Sequence, residues 1–572
     1  MAAAVLALSA CHNELDNQAD DKVNTAKQIT FKVNFEDYNA DEEVQGTRTL
    51  APDTLSKQVI DLDNNLLAEV SIQRDTTKAD HTTTRALSNG TYTMLAYQGS
   101  TLKAEVTGTV NNGEFYVTGN PMVLAPGTYD FVLYSDLTRS GNTFIVDRSN
   151  MSNAQIGRTT GVVITSQLET QEVVFNLKHL GARMKIKLTG YMPYPAMSAT
   201  LSSVNATSVP NQVVYDAVAD SWTGYTNAAL SENCTFPANS VWAEGNTGGV
   251  SYTFKDINYP SLTNDYFYFL PTTDASKLKL TFHGGMIYHV DFGHHNVSLT
   301  LAPNPAVVMQ NNGSYIINVK LRPNYLYLMS DGSTDFVNAT QYTHLKKADG
   351  TPLYRDKQGH VLTTPKVPVG LVVSQSRRLA MALKPVGSFA WYMGGAGPCN
   401  YKTYPKSDSW LTEADVAASN QDMDGYRYTW EASGSADGTT IKANQPTLYP
   451  AFYQAAHYRD KLIESGVTLT GTMATKNWYL PSGGEWNLVR LNLGYSDGTK
   501  MPSFVVVYKW ASYAYYLALL DVGGVPFGIT FVSSSTELSN GRYYTPGTSD
   551  GNISGNDWWY TVNLSVIPFV KY

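Results

Sequence analysis

One segment has oxygen-bearing side chains spaced as in a calcium-binding loop. Positions 1, 3, 5 and 12 of the pattern are Asn420, Asp422, Asp424 and Glu431. Gly425 stands where such a loop needs a sharp turn, and carboxylate and amide oxygens are the ligands that Ca²⁺ prefers. The same residues also fit an acidic turn before a strand over 426–430. The sequence leaves calcium and a plain turn both open, and it indicates no other cofactor.

A second segment crowds histidines around an aspartate, as zinc ligands would be. The set is His283, His289, Asp291, His294 and His295. Gly284 and Gly293 read as turns, so these side chains are expected to scatter over strand and loop. The chain has no nucleophile elbow, phosphate loop, HExxH helix or cysteine cluster. We therefore expect neither a zinc site nor an enzyme.

Aromatic residues are the remaining candidates for binding. They are more numerous in the last third of the chain than one core needs, and exposed rings stack on sugars or anchor protein contacts. Where two aromatic residues are adjacent in a strand, one ring must point outward. The predicted ligand-binding residues, for a glycan or a protein, are Trp510, Tyr513, Tyr543, Tyr544, Trp558 and Trp559.

The N-terminal residues MAAAVLALSA are small or apolar and too few to span a bilayer. Residues 8–11, LSAC, resemble the lipobox of bacterial lipoproteins, in which a lipid is attached to the cysteine before cleavage. The resemblance implies lipidation of Cys11 and a surface-exposed precursor anchored in the outer membrane. The polar residues 12–24 suit a flexible tether.

Composition limits the class of protein. The 572 residues suggest three or four domains, and 41 basic against 49 acidic residues give a net charge of −8, which argues against nucleic acid as a partner. With 38 Tyr, 10 Trp, 44 Gly and 25 Pro, many short strands joined by turns are expected. The chain is therefore predicted to be mostly β.

Apolar and polar residues alternate over 29–35, 184–188 and 315–321, as in half-buried strands. Later in the chain, 451–464 has helical periodicity, and Ser482 with Glu485 forms a capping box for another helix. The predicted division is a signal over 1–11, a tether over 12–24, β-sandwiches over 25–177 and 178–324, a linker over 325–364 and an α+β domain over 365–572.

The stretch VFNLKHLGARMKIKL at 174–188 resembles the junction motif of the fimbrillin superfamily, the lipoprotein pilins of type V pili in Bacteroidetes. The stretch GSYIINVKL at 313–321 is similar to the end of that family's second domain. The resemblance implies two tandem transthyretin-like β-sandwich pilin domains and other pilin subunits as partners. On physical grounds His179, within the first motif, is interpreted as a structural histidine.

In that family, a protease removes the first strand after an arginine, and a neighbouring subunit's strand fills the groove by β-strand addition. Arg48-Thr49 follows the strand at 29–35 and is the predicted cleavage site. Arg85-Ala86 is the alternative, because it also lies in a polar stretch.

The stretch WYLPSGGEW at 478–486 resembles the signature of bacterial C-type-lectin-like domains, and SSSTE at 533–537 is similar to a turn of the same domains. Their Glu-Pro-Asn or Gln-Pro-Asp calcium loop is missing, so calcium-dependent sugar binding of that kind is not expected. The residues 564–572 are predicted to be locked inside this domain.

Together these features predict a fimbrial subunit that is a tip adhesin, because it accepts a strand and has none to donate. It would assemble by protease-triggered strand addition and bind surface ligands through its C-terminal domain. The alternative is a cell-surface glycan-binding lipoprotein that does not polymerise. An enzyme on the lectin-like scaffold would need reactive groups that the sequence does not show.

Overall fold

The structure is a computed structural model that describes residues 22–39, 54–75, 90–166, 170–240, 258–301, 305–500, 506–526, 530–549 and 552–572. The molecule is mostly β, as predicted. In the described residues up to His179, the short α-helix α1 (Thr25–Gln28) accompanies the strands β1 (Val23–Asn24), β2 (Ile29–Phe35), β3 (Thr54–Leu62), β4 (Leu66–Arg74), β5 (Tyr92–Gln98), β6 (Thr101–Asn111), β7 (Glu114–Val117), β8 (Val123–Leu124), β9 (Gly127–Ser135), β10 (Thr138–Ser140), β11 (Thr143–Asp147), β12 (Gln155–Ile164) and β13 (Gln171–His179).

Seven of these strands close into a barrel in the order β12-β13-β2-β7-β6-β5-β9. The alternation that predicted β2 is confirmed, since Ile29, Phe31 and Val33 point into the barrel core and are buried. Phe131 and Phe175 meet Phe31 there, with ring centroids 5.6 and 6.3 Å away. The barrel closes at β2, which has a full ladder to β13 and a single register pair to β7.

The middle region begins at Ala182. Its strands are β14 (Ala182–Gly190), β15 (Met197–Ser203), β16 (Val209–Asp216), β17 (Ser221–Ala228), β18 (Ser231–Phe236), β19 (Tyr259–Leu262), β20 (Phe267–Phe269), β21 (Leu278–Gly284), β22 (Met286–Ile287), β23 (Val290–Asp291), β24 (Val297–Thr300) and β25 (Ser314–Pro323). One sheet has the order β19-β14-β25-β4-β3, and another has the order β18-β15-β21-β24. The buried faces of both sheets contribute to one hydrophobic core, which makes this region a sandwich.

Two sheets combine strands from both sides of the predicted domain boundary at 177. The hairpin β3–β4 pairs with β25 in the middle region, and β11 pairs with β16. The predicted ranges 25–177 and 178–324 therefore separate strands that the structure pairs. Strand periodicity shows which face is buried but says nothing about the pairing partner, which is why the sequence did not indicate this exchange.

The C-terminal region follows Pro323. Its strands are β26 (Tyr327–Met329), β27 (Thr334–Asp335), β28 (Tyr354–Arg355), β29 (Val361–Leu362), β30 (Pro368–Ser374), β31 (Leu379–Ala382), β32 (Gly387–Phe389), β33 (Trp478–Tyr479), β34 (Val507–Lys509), β35 (Thr530–Phe531), β36 (Glu537–Leu538), β37 (Arg542–Ser549), β38 (Asn552–Trp559), β39 (Leu564–Val566) and β40 (Phe569–Lys571). Its helices are α2 (Glu413–Ser419), α3 (Gly425–Trp430), α4 (Pro450–Ala456), α5 (Tyr458–Glu464), α6 (Gly483–Leu488) and α7 (Ser512–Leu520).

The largest sheet of this region has the order β27-β26-β30-β31-β40-β33. The predicted capping box is present: the Ser482 and Glu485 side chains bond each other's backbone at the start of α6. The predicted helix over 451–464 is two helices, α4 and α5, which meet at His457. The segment 426–430 is the short helix α3 and not a strand, because tertiary packing overrides the strand preference of its Tyr, Thr and Trp residues.

The C-terminal region packs on the middle sandwich through α7 and through one buried cation. Arg322, at the end of β25, lies 3.0 Å from Glu69 of β4 and 2.6 Å from Asp521 just after α7. Nearby, the Tyr191 and Tyr513 rings are 5.0 Å apart. The hairpin β3–β4 also contacts this region, since Asn338 donates to Asp61 at 2.6 Å. The hairpin thus touches both later regions of the molecule.

Candidate functional site

The site with the clearest geometry is the position of β2 in the barrel. β2 runs parallel to β13, with seven residues in register from Ile29↔Gln171 to Phe35↔Leu177. On its other side the register has one pair, Lys32 with Glu114 of β7, and the Val33 amide donates to the Gly113 carbonyl at 2.7 Å. β2 is therefore joined to the barrel mainly along one edge.

The neighbour β13 depends on β2 in turn. Its other partner, β12, pairs with it at two positions only, Gln155↔His179 and Ile156↔Lys178. Without β2, residues 171–177 would lose their ladder partner, and the buried ring of Phe175 would lose its contact with Phe31. The place of β2 is thus a groove shaped for one extended strand.

The chain leaving β2 is fixed to the start of the middle sandwich. The Tyr38 and His179 rings stack with centroids 4.1 Å apart, and Arg183 lies 4.0 Å from the centre of the Tyr38 ring. The Asn39 side chain donates to the carbonyls of Asp75 and Ser314 and accepts from the Ser314 amide, at 2.9 to 3.1 Å. His179 is a buried structural residue here, as interpreted from the sequence.

Asn39 has a backbone φ of 64°, and its buried partner Asn312 donates to the Asp37 carbonyl at 2.9 Å. Asparagine tolerates this left-handed conformation better than most residues and can bond locally. Sequence reasoning missed both asparagines. The only signal was an Asn in a short polar segment after a strand, which is common in turns.

The last strand of the chain is held differently. β40 lies between β31 and β33, with three register pairs to one and two to the other. Phe569 and Val570 are fully buried, and Phe569 lies 5.1 Å from the ring of Trp486. The C-terminal strand is an interior strand of its sheet, as predicted.

Three of the predicted ligand-binding aromatics are core residues: Trp510, Tyr543 and Tyr544 are at most 4% exposed. Tyr543 stacks on Trp391, and Tyr544 packs in a second cluster and donates to Asn420. The prediction of an outward ring in this pair was wrong, because both faces of β37 are covered.

The other three candidates lie nearer the surface. Tyr513 is half-buried at the contact with the middle sandwich, and Trp558 is half-buried against Phe531. Only Trp559 is well exposed, at 52%. Of the six predicted residues, Trp559 alone is presented to solvent as expected.

The residues of the calcium-like pattern do not form a shared site. Asp422 is buried and accepts hydrogen bonds from Thr536 at 2.6 Å and Tyr428 at 3.3 Å, while Glu431 is exposed at the end of α3. The Asp424 carboxylate accepts a hydrogen bond from the Tyr401 hydroxyl and does not share a ligand position with Asp422. Within the described ranges, no three His, Cys, Asp or Glu side chains are arranged to hold a metal ion, and this includes the histidine segment.

The lectin-like sequence motifs meet in the core of the C-terminal region. The Gly483 amide donates to Thr536 at 2.8 Å, and Ser535 donates its amide to the Pro481 carbonyl at 2.7 Å. Glu537 accepts from the amide of Cys399 and the hydroxyl of Tyr560. These motif residues are therefore bonded to one another and buried.

Burial also shifts the ionisation of this core. Desolvation raises the pKa of Glu485 to about 7, although the Tyr479 hydroxyl donates to it at 2.6 Å. It lowers the pKa of Lys442 to about 8 and raises the pKa of the Cys399 thiol to about 12. The thiol is thus neutral near pH 7 and is not activated as a nucleophile.

Several predicted sites lie outside the described residues: the lipidation site Cys11 and the processing residues Arg48, Thr49, Arg85 and Ala86. In the described part of the chain, no helix has the length and apolar character needed to cross a membrane.

The chain matches no family model and no curated protein. It is similar to a fimbrial protein from Bacteroides vulgatus ATCC 8482, with 13% identity over 41% of this chain and 89% of that chain and a TM-score of 0.26. It is also similar to a fimbrial protein from Bacteroides ovatus ATCC 8483, with 13% identity over 96% of this chain and 99% of that chain and a TM-score of 0.24. At such TM-scores, these likenesses carry no argument about this chain.

Proposed function

We propose that this chain is a cell-surface adhesin subunit of a pilus, which accepts a strand from a neighbouring subunit in the place of β2. The observation that carries the proposal is the way β2 is held. It has a seven-residue ladder on one side, a single pair on the other, and three buried apolar side chains between them.

Loss of β2 would leave an unsatisfied groove. Burying a side chain such as Ile29, Phe31 or Val33 is worth about 1.5–3 kcal/mol each, and β13 would lose its hydrogen-bond partners. An incoming strand with the same alternation of apolar and polar residues would restore both the apolar burial and the hydrogen bonds to β13. This free-energy difference would drive subunit addition.

The two candidate cleavage sites would release different strands. A cut after Arg48 separates β2 from β3, whereas a cut after Arg85 separates both β2 and the hairpin from the rest of the chain. The hairpin contributes four buried side chains to the core of the middle sandwich, Leu66, Ala68, Val70 and Ile72. We favour Arg48, because that cut opens the barrel and keeps the sandwich intact.

The lipid and the strand would leave together. Cys11 precedes β2 in the chain, so a cut after Arg48 would also detach the folded body from an outer-membrane lipid anchor. Processing would then convert an anchored precursor into a subunit of the fimbrium.

At the C-terminal end, β40 is buried between two strands and is not available to a neighbouring subunit, which suits a tip position.

Digestion of the precursor with an arginine-specific protease tests the proposal. Mass spectrometry should find a new N-terminus at Thr49, and the trimmed protein should then bind a synthetic peptide of residues 27–37. The variant Arg48→Lys should resist this cut, and Arg85→Lys should behave as wild type. A trimmed chain that stays monomeric and ignores the peptide would contradict strand acceptance.

The alternative, a glycan-binding lipoprotein that does not polymerise, makes a different prediction. The protein from its native surface would still begin at acylated Cys11, with β2 in place. The exposed indole of Trp559 in the C-terminal region is a candidate binding residue under either proposal.

A further inference from the structure

Two exposed tryptophans of the C-terminal region flank one group of charges. Trp410 is 55% exposed and Trp559 is 52% exposed, while the other tryptophans in the described ranges are half-buried or buried. A single exposed ring is common on a protein surface, whereas exposed rings grouped in one patch mark binding sites, so two tryptophans around one group of charges form a candidate site.

Trp559 is positioned by an arginine directly across the strand pair. Arg542 of β37 faces Trp559 of β38, and its guanidinium carbon lies 4.0 Å from the centre of the indole ring. The Arg542 Nη1 donates to Asp557 at 2.5 Å, which fixes the plane of the guanidinium. The guanidinium therefore packs against one face of the indole and holds the ring in position.

The same aspartate connects this pair to the second tryptophan. Lys406 Nζ lies 3.5 Å from the other Asp557 oxygen and donates to the carbonyls of Asp408 and Ser409 at 2.8 Å. Trp410 follows Ser409 directly in the chain. The backbone before Trp410 is thus connected to the Trp559 ring by a chain of three charged side chains, Lys406, Asp557 and Arg542.

This ion triad is built into the protein. The side chains of Lys406 and Asp557 are only 6% and 5% exposed, while that of Arg542 is 25% exposed. The Lys406 amide is also bonded to the Ser539 hydroxyl at 3.1 Å, which ties its loop to the end of β36. Ordering these groups on binding would cost little, because their partners already hold them.

We propose that Trp410, Trp559 and Arg542 form a glycan-binding site. The face of the Trp559 indole that Arg542 does not cover stacks on the apolar C–H face of a pyranose ring, and the guanidinium N–H groups that do not bond Asp557 donate past the edge of the indole to hydroxyl or carboxylate oxygens of the same glycan. Two cations and one anion leave the triad with a charge of +1, which suits sugars that carry oxygen-rich or acidic groups. The inference rests on the adhesive role proposed above, but it does not depend on strand addition.

The test uses the full chain as a monomer and needs no pilus. Binding is measured on immobilised lactose, 3′-sialyllactose, chitotriose and a polyuronate tetrasaccharide, and by tryptophan fluorescence with the same sugars free. We expect at least one sugar to bind, with a tenfold or greater loss of affinity in Trp559→Ala and in Trp410→Ala. The variant Arg542→Lys keeps the charge but loses the planar fork, and it should also weaken binding.

The matched control is Tyr225→Ala, which removes an exposed ring of the middle region and should bind like wild type. Because the substituted rings are exposed, each variant is expected to unfold within a few degrees of wild type, and only such variants are compared.

Absence of binding to all four sugars overturns the proposal. So does binding that survives all three substitutions, or a patch that captures a protein ligand and no sugar. Strand acceptance is read separately from the Thr49 N-terminus, so the two proposals can fail independently.

Discussion

β2 and β40 are both short apolar strands near an end of the chain, yet the fold holds them differently. β2 has a full ladder to β13 and one pair to β7, whereas β40 is flanked by strands on both sides and packs on Trp486. Loss of the first would leave a groove in an otherwise complete barrel. Loss of the second would detach β33 from the end of a six-stranded sheet and leave β31 without one of its neighbours. Under the proposed strand addition, β2 and not β40 is therefore the strand that a neighbouring subunit would replace.

The largest expected effect is from removing β40. A chain that ends at Pro568 should lose the fold of the C-terminal region, because β31 and β33 would have no strand between them. Tryptophan fluorescence and circular dichroism would detect the loss. The control is Lys571→Ala, which changes only an exposed side chain of the same strand. A C-terminal region that stays folded after the truncation would show that β40 is also exchangeable.

Substitution in β2 should have a smaller but still large effect in the uncut precursor. Phe31→Ala should lower the free energy of unfolding of the barrel by about 3–5 kcal/mol, because the ring fills the space between Phe131 and Phe175. Denaturant unfolding measures this. Lys32→Ala removes only a surface ion pair and should cost about 0–1 kcal/mol. Once β2 has been cut away, the Phe31 variant should no longer differ from wild type.

The core beside β40 should respond to pH. Burial raises the pKa of Glu485 from 4.5 to about 7, so the folded state retains a proton that the unfolded chain releases. The stabilisation from this group is complete below about pH 4.5 and is lost as the pH rises to about 7. The change is on the order of 3 kcal/mol.

Thermal unfolding from pH 4 to 8 would follow this change. Glu485→Gln should flatten the dependence, while the exposed Glu464→Gln should leave it as in wild type. In the described strands of the barrel that holds β2, no Asp or Glu side chain is buried, so its unfolding should vary less over this range. An equal response in both regions would contradict this assignment.

The smallest expected effect concerns the segment after β2. Asn39→Gly keeps the backbone able to adopt a φ of 64° but removes the side-chain bonds to Asp75 and Ser314. The free energy of unfolding should fall by about 1–3 kcal/mol. Cleavage after Arg48 should become faster, since the segment is then less firmly held. An unchanged cleavage rate would show that this anchor plays no part in processing.

The buried position of the C-terminal strand was predicted from the resemblance to bacterial C-type-lectin-like domains, whereas local patterns were enough to predict β2 and the capping box of α6. Each depends on residues close together in sequence, such as the alternation of Ile29, Phe31 and Val33. The hairpin β3–β4 could not be placed, because its buried residues fit any apolar sheet edge, and only the folded chain selects β25. Long-range pairing of this kind has no local signature.

The candidate binding residues show a second limit. Adjacent aromatics in β37 suggested one outward ring, but the layers on both sides of that strand bury Tyr543 and Tyr544. Trp410 has no aromatic residue next to it in the sequence and lies in a polar stretch, so no sequence pattern predicted that its ring is exposed. Its exposure depends on the position of that loop beside β36, which the sequence does not reveal.

In the adhesin role proposed above, Arg322 would have a mechanical consequence. It joins β4, β25 and the residue after α7 at the point where the chain enters the C-terminal region. A pull on that region would reach the middle sandwich through the Glu69 and Asp521 contacts as well as through the peptide chain. Because β25 has ladders on both sides, to β14 and β4, tension along it would shear many hydrogen bonds at once and not open them one by one.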